Sequence, residues 1–167
     1  MTGGDESILV LALGNDIVGD DGVALEAARA LREMLPNESA VDVLETTEGG
    51  LGMLDILSPY RRVLLLDSIE AGDDPAGEVR EFSRSDFDKV LGPCPHYAGL
   101  PEVIALAEKL GIDFPSELRV LTIKIDPQEE FRQGLTDEIR RALPAFVDQA
   151  AVILNDWIGD NARNITH

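Results

Sequence analysis

Three polar residues stand where an otherwise apolar pattern breaks: Asp21, Asp67 and His96. Asp21 belongs to the acid pair Asp20-Asp21, which lies between Gly19 and Gly22 a few residues after a run of Ile, Leu, Val and Ala. Asp67 ends the apolar part of RRVLLLDS (61–68), and His96 lies in PCPHYAG (93–99), just ahead of a helical pattern. Two carboxylates and one imidazole can hold a divalent transition metal through mixed oxygen and nitrogen donors and leave positions open for a substrate. Such a set does not choose among nickel, zinc, cobalt and manganese. The three are too far apart for a local motif such as HExxH, so only tertiary structure can assemble them.

Each residue also has a plainer use. Asp20 or Asp21 can be the N-cap of the helix that follows. Asp67 can cap the next turn. His96 can be a surface residue of a proline-rich loop, and Cys94 beside it a small buried hydrophobe or an added soft ligand. Other chemistries fail on spacing. Gly14, Gly19 and Gly22 do not form GxGxxG, and neither GxxxxGK[ST] nor GxSxG occurs. Cys94 and His96 are only two residues apart, whereas catalytic Cys–His pairs are assembled in space.

The elements that must position these residues alternate. Residues 8–13 read as a buried strand, and 22–35 carry apolar residues at helical spacing, ended by Pro36 and Asn37. Strands follow at 40–44 and 61–68, with a Gly-rich loop at 45–52 and a short helix at 51–57 between them. The turn cluster GDDPAG (72–77) is too short for a parallel crossover, so 78–82 is expected as an antiparallel edge strand. Residues 83–92 are weakly helical, 100–110 form a helix with an early Pro and a terminal Gly, and 118–125 form another strand. A long helical region, 137–157, is interrupted by Pro144, which can kink it or begin a second piece.

This order predicts one three-layer α/β domain, a mostly parallel five-stranded sheet with an antiparallel edge strand and helices on both faces. The single domain spans 1–167, with an ordered core over 7–158 and a frayed polar tail over 159–167. If the strands carrying Asp21 and Asp67 are parallel neighbours, both carboxylates reach the crevice at the carboxyl edge of the sheet. A helix that starts from that edge brings His96 to it.

Thirty-two acids against 14 bases give a formal charge of −18, which opposes binding to nucleic acid or an anionic membrane surface. The lone cysteine cannot form an internal disulfide. The first apolar run is too short for a signal-peptide core or a membrane span and follows acids, so a cytoplasmic protein is expected.

The ordered segments GNDIVGDDGVA, VLLLDSIEAGDDPAG, PHYAGLPEVIALAEKLG and LTIKIDPQEEFRQGLTDEIRRALPAFV span nearly the whole chain. In this set the chain resembles the nickel–iron hydrogenase maturation endopeptidases. That resemblance implies an endopeptidase that removes a C-terminal extension from the nickel-loaded precursor of a hydrogenase large subunit. It implies that Asp21, Asp67 and His96 meet nickel delivered within the precursor, a site other divalent metals could occupy, with Asp21 and Asp67 also candidates for the catalytic step. A monomer is expected to act on this one partner. Ala12, the loop Thr46-Thr47-Glu48-Gly49 and Thr122 depart from the family's usual residues. Two alternatives stay open at this stage. A phosphoacceptor receiver domain would use the acid pair, Asp67 and Lys124, and a nickel-binding maturation chaperone would use the same ligands without cutting.

Overall fold

The computed structural model describes residues 7–36, 39–87, 99–128 and 131–164. Five strands, β1 (Ile8–Leu13), β2 (Val41–Thr46), β3 (Arg62–Glu70), β4 (Val79–Ser83) and β5 (Glu117–Ile125), form one sheet in the order β2-β1-β3-β5-β4. Every pairing is parallel except β4 with β5, so the expected antiparallel edge strand is present. The helices are α1 (Val23–Met34), α2 (Met53–Leu57), α3 (Arg84–Phe87), α4 (Leu100–Leu110) and α5 (Asp137–Asn164). Among the described residues no helix is long and apolar enough to cross a membrane.

Strand periodicity explains the layers. On β1, Ile8, Val10 and Ala12 pack with residues of α1 and α5, while Leu9 and Leu11 face Met53, Leu57, Leu100 and Ile104 of α2 and α4. β3 divides the same way, Leu64 and Leu66 to the first face and Val63, Leu65 and Ile69 to the second. Strands covered on both sides need apolar residues at every position, which is why β1 and β3 read as unbroken runs. Each fully buried Leu or Ile contributes roughly 1.5–3 kcal/mol of transfer free energy.

β1 lies between β2 and β3, and the chain leaves it over one face through α1 and returns to β3 past the other through α2. The crevice between β1 and β3 is therefore the topological switch point, where open α/β sheets place their ligands.

Several boundaries differ from the sequence reading, and the choice left open at Pro144 is decided. β3 continues past Ser68 to Glu70 because β5 pairs with it to its last residue, Glu70 opposite Ile125. α5 is one helix with Pro144 inside it. The tail expected to fray over 159–167 is helical as far as Asn164, and Asn161 is buried. The cause is Arg62, whose guanidinium donates to the Trp157 carbonyl at 3.0 Å and to Asn161 Oδ1 at 2.9 Å, pinning the end of α5 to the start of β3.

Candidate active site

The loop after β1 folds back on itself. Asn15 closes a turn by accepting the Ile17 N–H on Oδ1 at 3.1 Å and the Val18 N–H on its carbonyl at 3.1 Å. Gly19–Gly22 then form a single 3-10 turn that leads into α1. Gly14 permits this return: a Cβ there would stand 2.3 Å from the Asp21 carbonyl oxygen, so any side chain would push the acid loop off the strand.

The two acids of the pair have different tasks. Asp20 is buried, and its carboxylate accepts the Thr136 N–H at 2.7 Å on Oδ1 and the Thr136 hydroxyl at 3.0 Å on Oδ2. Thr136 immediately precedes α5, and its own Oγ1 accepts the Ile139 N–H. Asp20 therefore secures the N-terminus of α5, where a negative charge is favourable. The N-cap of α1 is Gly22 and has no side-chain bond, so neither acid caps α1 as the local pattern had suggested. A wall of backbone completes this contact: Gly19 N–H donates to the Arg132 carbonyl at 2.6 Å, Arg132 N–H to the Ile17 carbonyl at 3.1 Å, and Asp20 N–H to Gln128 Oε1 at 3.0 Å.

Asp21 turns toward β3 instead. Its Oδ1 accepts the Ser68 hydroxyl at 2.9 Å. Asp67 accepts the backbone N–H of the same Ser68 on its own Oδ1 at 2.8 Å, so its capping is confined to the next peptide. Burial pushes the Asp67 carboxyl up to about 7 despite that N–H, which favours the anion, and the nearby Asp21 charge adds to the rise. Among the described residues neither Asp21 nor Asp67 has a cationic partner. Beside them opens a cavity of about 430 Å³, lined by Asp21, Ser68, Glu70 and Gln128 and by the apolar Val18, Ile69 and Ile125.

The structure thus brings two of the three expected site residues together at the switch point. The third, His96, lies outside the described residues, as does Cys94. The helix that follows His96 does start near this edge: Gly99 has φ +106°, and a Cβ there would stand 2.7 Å from Gly50 Cα, so the two loops meet backbone to backbone. Among the described residues no group of three or more His, Cys, Asp or Glu is arranged to hold a metal. Among the described residues Asp21 and Asp67 are two oxygen donors without a counter-charge, which could hold a cation only together with further ligands. Ser68 and Gln128 were not singled out from sequence. Ser68 had only its place beside Asp67 to signal it, and Gln128 had no signal at all.

Lys124 does not join the acids. Buried on β5, it binds Asp74 and also lies 3.4 Å from Glu78, both in the segment joining β3 to β4. The receiver reading needed that lysine in the crevice.

The family model for hydrogenase maturation protease (HycI) matches residues 25–153. The chain belongs to the hydrogenase maturation protease family. It is a peptidase by that membership. The hydrogenase expression/formation protein HupD of Rhizobium leguminosarum bv. viciae is 26% identical over 153 residues, covering 90% of this chain and 75% of that one. The hydrogenase 2 maturation protease of Escherichia coli K12 is 21% identical over 151 residues, covering 89% and 91%. Among solved structures, the hydrogenase maturating endopeptidase HybD from E. coli superposes with a TM-score of 0.74 at 22% identity, over 90% of this chain and 93% of the other. The [NiFe] hydrogenase maturation protease HybD from Thermococcus kodakarensis superposes with a TM-score of 0.64 at 26% identity, over 88% and 98%. Family membership closes the receiver alternative.

Proposed function

We propose that this maturation protease is an endopeptidase that removes a C-terminal extension from the nickel-loaded precursor of a hydrogenase large subunit, and that it recognises the precursor through its nickel. One observation carries this reading: Asp21 and Asp67 stand together at the switch point, tied by Ser68, with no cation among the described residues to balance them. Two adjacent carboxylates without a counter-charge favour a divalent cation, and here that cation arrives as part of the substrate.

In this reading Asp21 and Asp67 each offer an uncommitted Oδ2, and His96 is the third ligand. Nickel held this way fixes the precursor's scissile bond at the crevice and can polarise its carbonyl or activate a water. The protein's part is to hold the acids still and to bind the flanking peptide along the cavity. Other divalent metals fit the same donors. The enzyme is proposed to work in the cytoplasm as a monomer.

The test is to incubate the protein with nickel-loaded precursor and with nickel-free precursor and to follow each by mass. Loss of a short C-terminal peptide from the loaded form alone is expected. Binding of the loaded precursor without any loss of mass would leave a nickel-dependent chaperone. Equal cutting of both forms would remove nickel from recognition.

A further inference from the structure

In a strand, neighbouring side chains point to opposite faces of the sheet. Asp67 and Ser68 are such neighbours, and Asp21 approaches from a different loop altogether. The Ser68 side chain therefore goes to Asp21 and not to Asp67. Ser68 reaches them by using two different donors. Its backbone N–H goes to Asp67 Oδ1 at 2.8 Å, and its hydroxyl goes to Asp21 Oδ1 at 2.9 Å. In each carboxylate the bonded oxygen is Oδ1, which leaves Oδ2 uncommitted among the described residues.

We infer that Ser68 is a positioning residue of the site: through one residue it sets the orientation of both carboxylates and turns their free oxygens toward the incoming cation. A carboxylate is free to rotate about its last bond, and rotation swings either oxygen into the crevice. A hydrogen bond to one oxygen selects the rotamer and lowers the cost of ordering it when a cation binds. Glu70 lines the cavity beside Asp21, and among the described residues no such bond holds its carboxylate. The residue type matters at Asp21 alone. Alanine at 68 keeps the backbone N–H for Asp67 and removes only the hydroxyl that Asp21 accepts, so the two tethers can be tested separately.

This inference rests on the proposed metal-recognising role of Asp21 and Asp67, and the experiment separates the two. Ni²⁺ alone is titrated calorimetrically into the wild-type chain, Ser68→Ala, Ser68→Thr and Ser68→Val, and processing of the nickel-loaded precursor is measured for each. Removing a hydrogen bond to a ligand typically costs roughly tenfold or more in metal affinity. Ser68→Ala and Ser68→Val are expected to bind Ni²⁺ roughly tenfold more weakly and to show a raised KM, with thermal midpoints close to wild type. Ser68→Thr, which has the shape of Val and the hydroxyl of Ser, is expected to restore both. In an Asp21→Ala background, Ser68→Ala is expected to have no further effect on the remaining affinity. If Ser68→Ala and Ser68→Val bind and process as the wild type does, Ser68 has no positioning role, whatever Asp21 and Asp67 do. If the wild type neither binds Ni²⁺ nor cuts the precursor, the reading of the acids fails and takes this inference with it. Should Ser68→Ala not fold, the Thr–Val comparison decides alone.

Discussion

Replacing Asp20 by Ala should destabilise the fold, whereas replacing its neighbour Asp21 should not. Asp20 is 2% exposed and accepts two bonds from Thr136, at 2.7 and 3.0 Å, across 116 residues of chain. In Asp20→Ala both donors, on a half-buried Thr136, lose their acceptor. An unsatisfied buried donor costs about 1–3 kcal/mol, and losing a charge at the start of α5 adds about 0.3–1 kcal/mol. Relief of the carboxylate's own burial offsets part of this, so a net loss of about 2–4 kcal/mol follows. For a domain of this size each kcal/mol moves the midpoint by about 2–4 °C, giving a fall of about 4–16 °C. Asp20→Asn keeps an acceptor for the Thr136 N–H and should cost about 1 kcal/mol. Asp21→Ala gives up one bond from Ser68 and removes a like charge from beside Asp67, so its midpoint should stay within about 3 °C of wild type or rise. Thermal unfolding followed by circular dichroism on the three variants, at one pH and salt, is the assay. An Asp20→Ala midpoint indistinguishable from wild type would falsify the assignment of Asp20 to α5. A larger fall for Asp21→Ala than for Asp20→Ala would reverse the division of labour.

Three further outcomes are expected. Gly14→Ala would place its Cβ 2.3 Å from the Asp21 carbonyl, so nickel affinity and precursor processing should fall while circular dichroism reports an intact fold; unchanged processing would show that the loop can move aside. Arg62→Ala should free the last turns of α5, seen as faster amide hydrogen exchange over 157–164 and a loss of about 2–3 kcal/mol, since it removes charge-assisted bonds to Glu117, the Trp157 carbonyl and Asn161. Asp67 titrates at about 7 in the folded chain against an ordinary 3.8, so between those values the folded state binds more protons and metal-free stability should fall as pH rises from about 4 to about 7. The full shift equates to about 4 kcal/mol at about 1.4 kcal/mol per unit, and the partial exposure of the side chain reduces this to about 1–3 kcal/mol. Asp67→Asn should flatten that slope in urea unfolding and be the more stable protein at pH 8; an unchanged slope would place the titration elsewhere.

The sequence by itself determined the layers and the edge of the sheet at which Asp21 and Asp67 lie. Unbroken apolar runs at β1 and β3 require cover on both faces, and GDDPAG is too short to carry a crossover, so a parallel sheet with an antiparallel edge follows from local patterns. Asp67 was legible because it ends such a run, and Asp21 because its Gly-flanked acid pair follows one at the same edge. The tail was misread because 159–164 carry little apolar signal; its helix is held by polar bonds to Arg62, a partner nearly a hundred residues away. The same limit applied to the acid pair. Two adjacent aspartates before a helix look alike in sequence, and either satisfies the rule for an N-cap. Only tertiary structure sent Asp20 to Thr136 at the start of α5 and Asp21 to Ser68 on β3. Local propensity depends on neighbours within a few residues, whereas a buried carboxylate's role is set by whichever donor the packed chain brings within 3 Å.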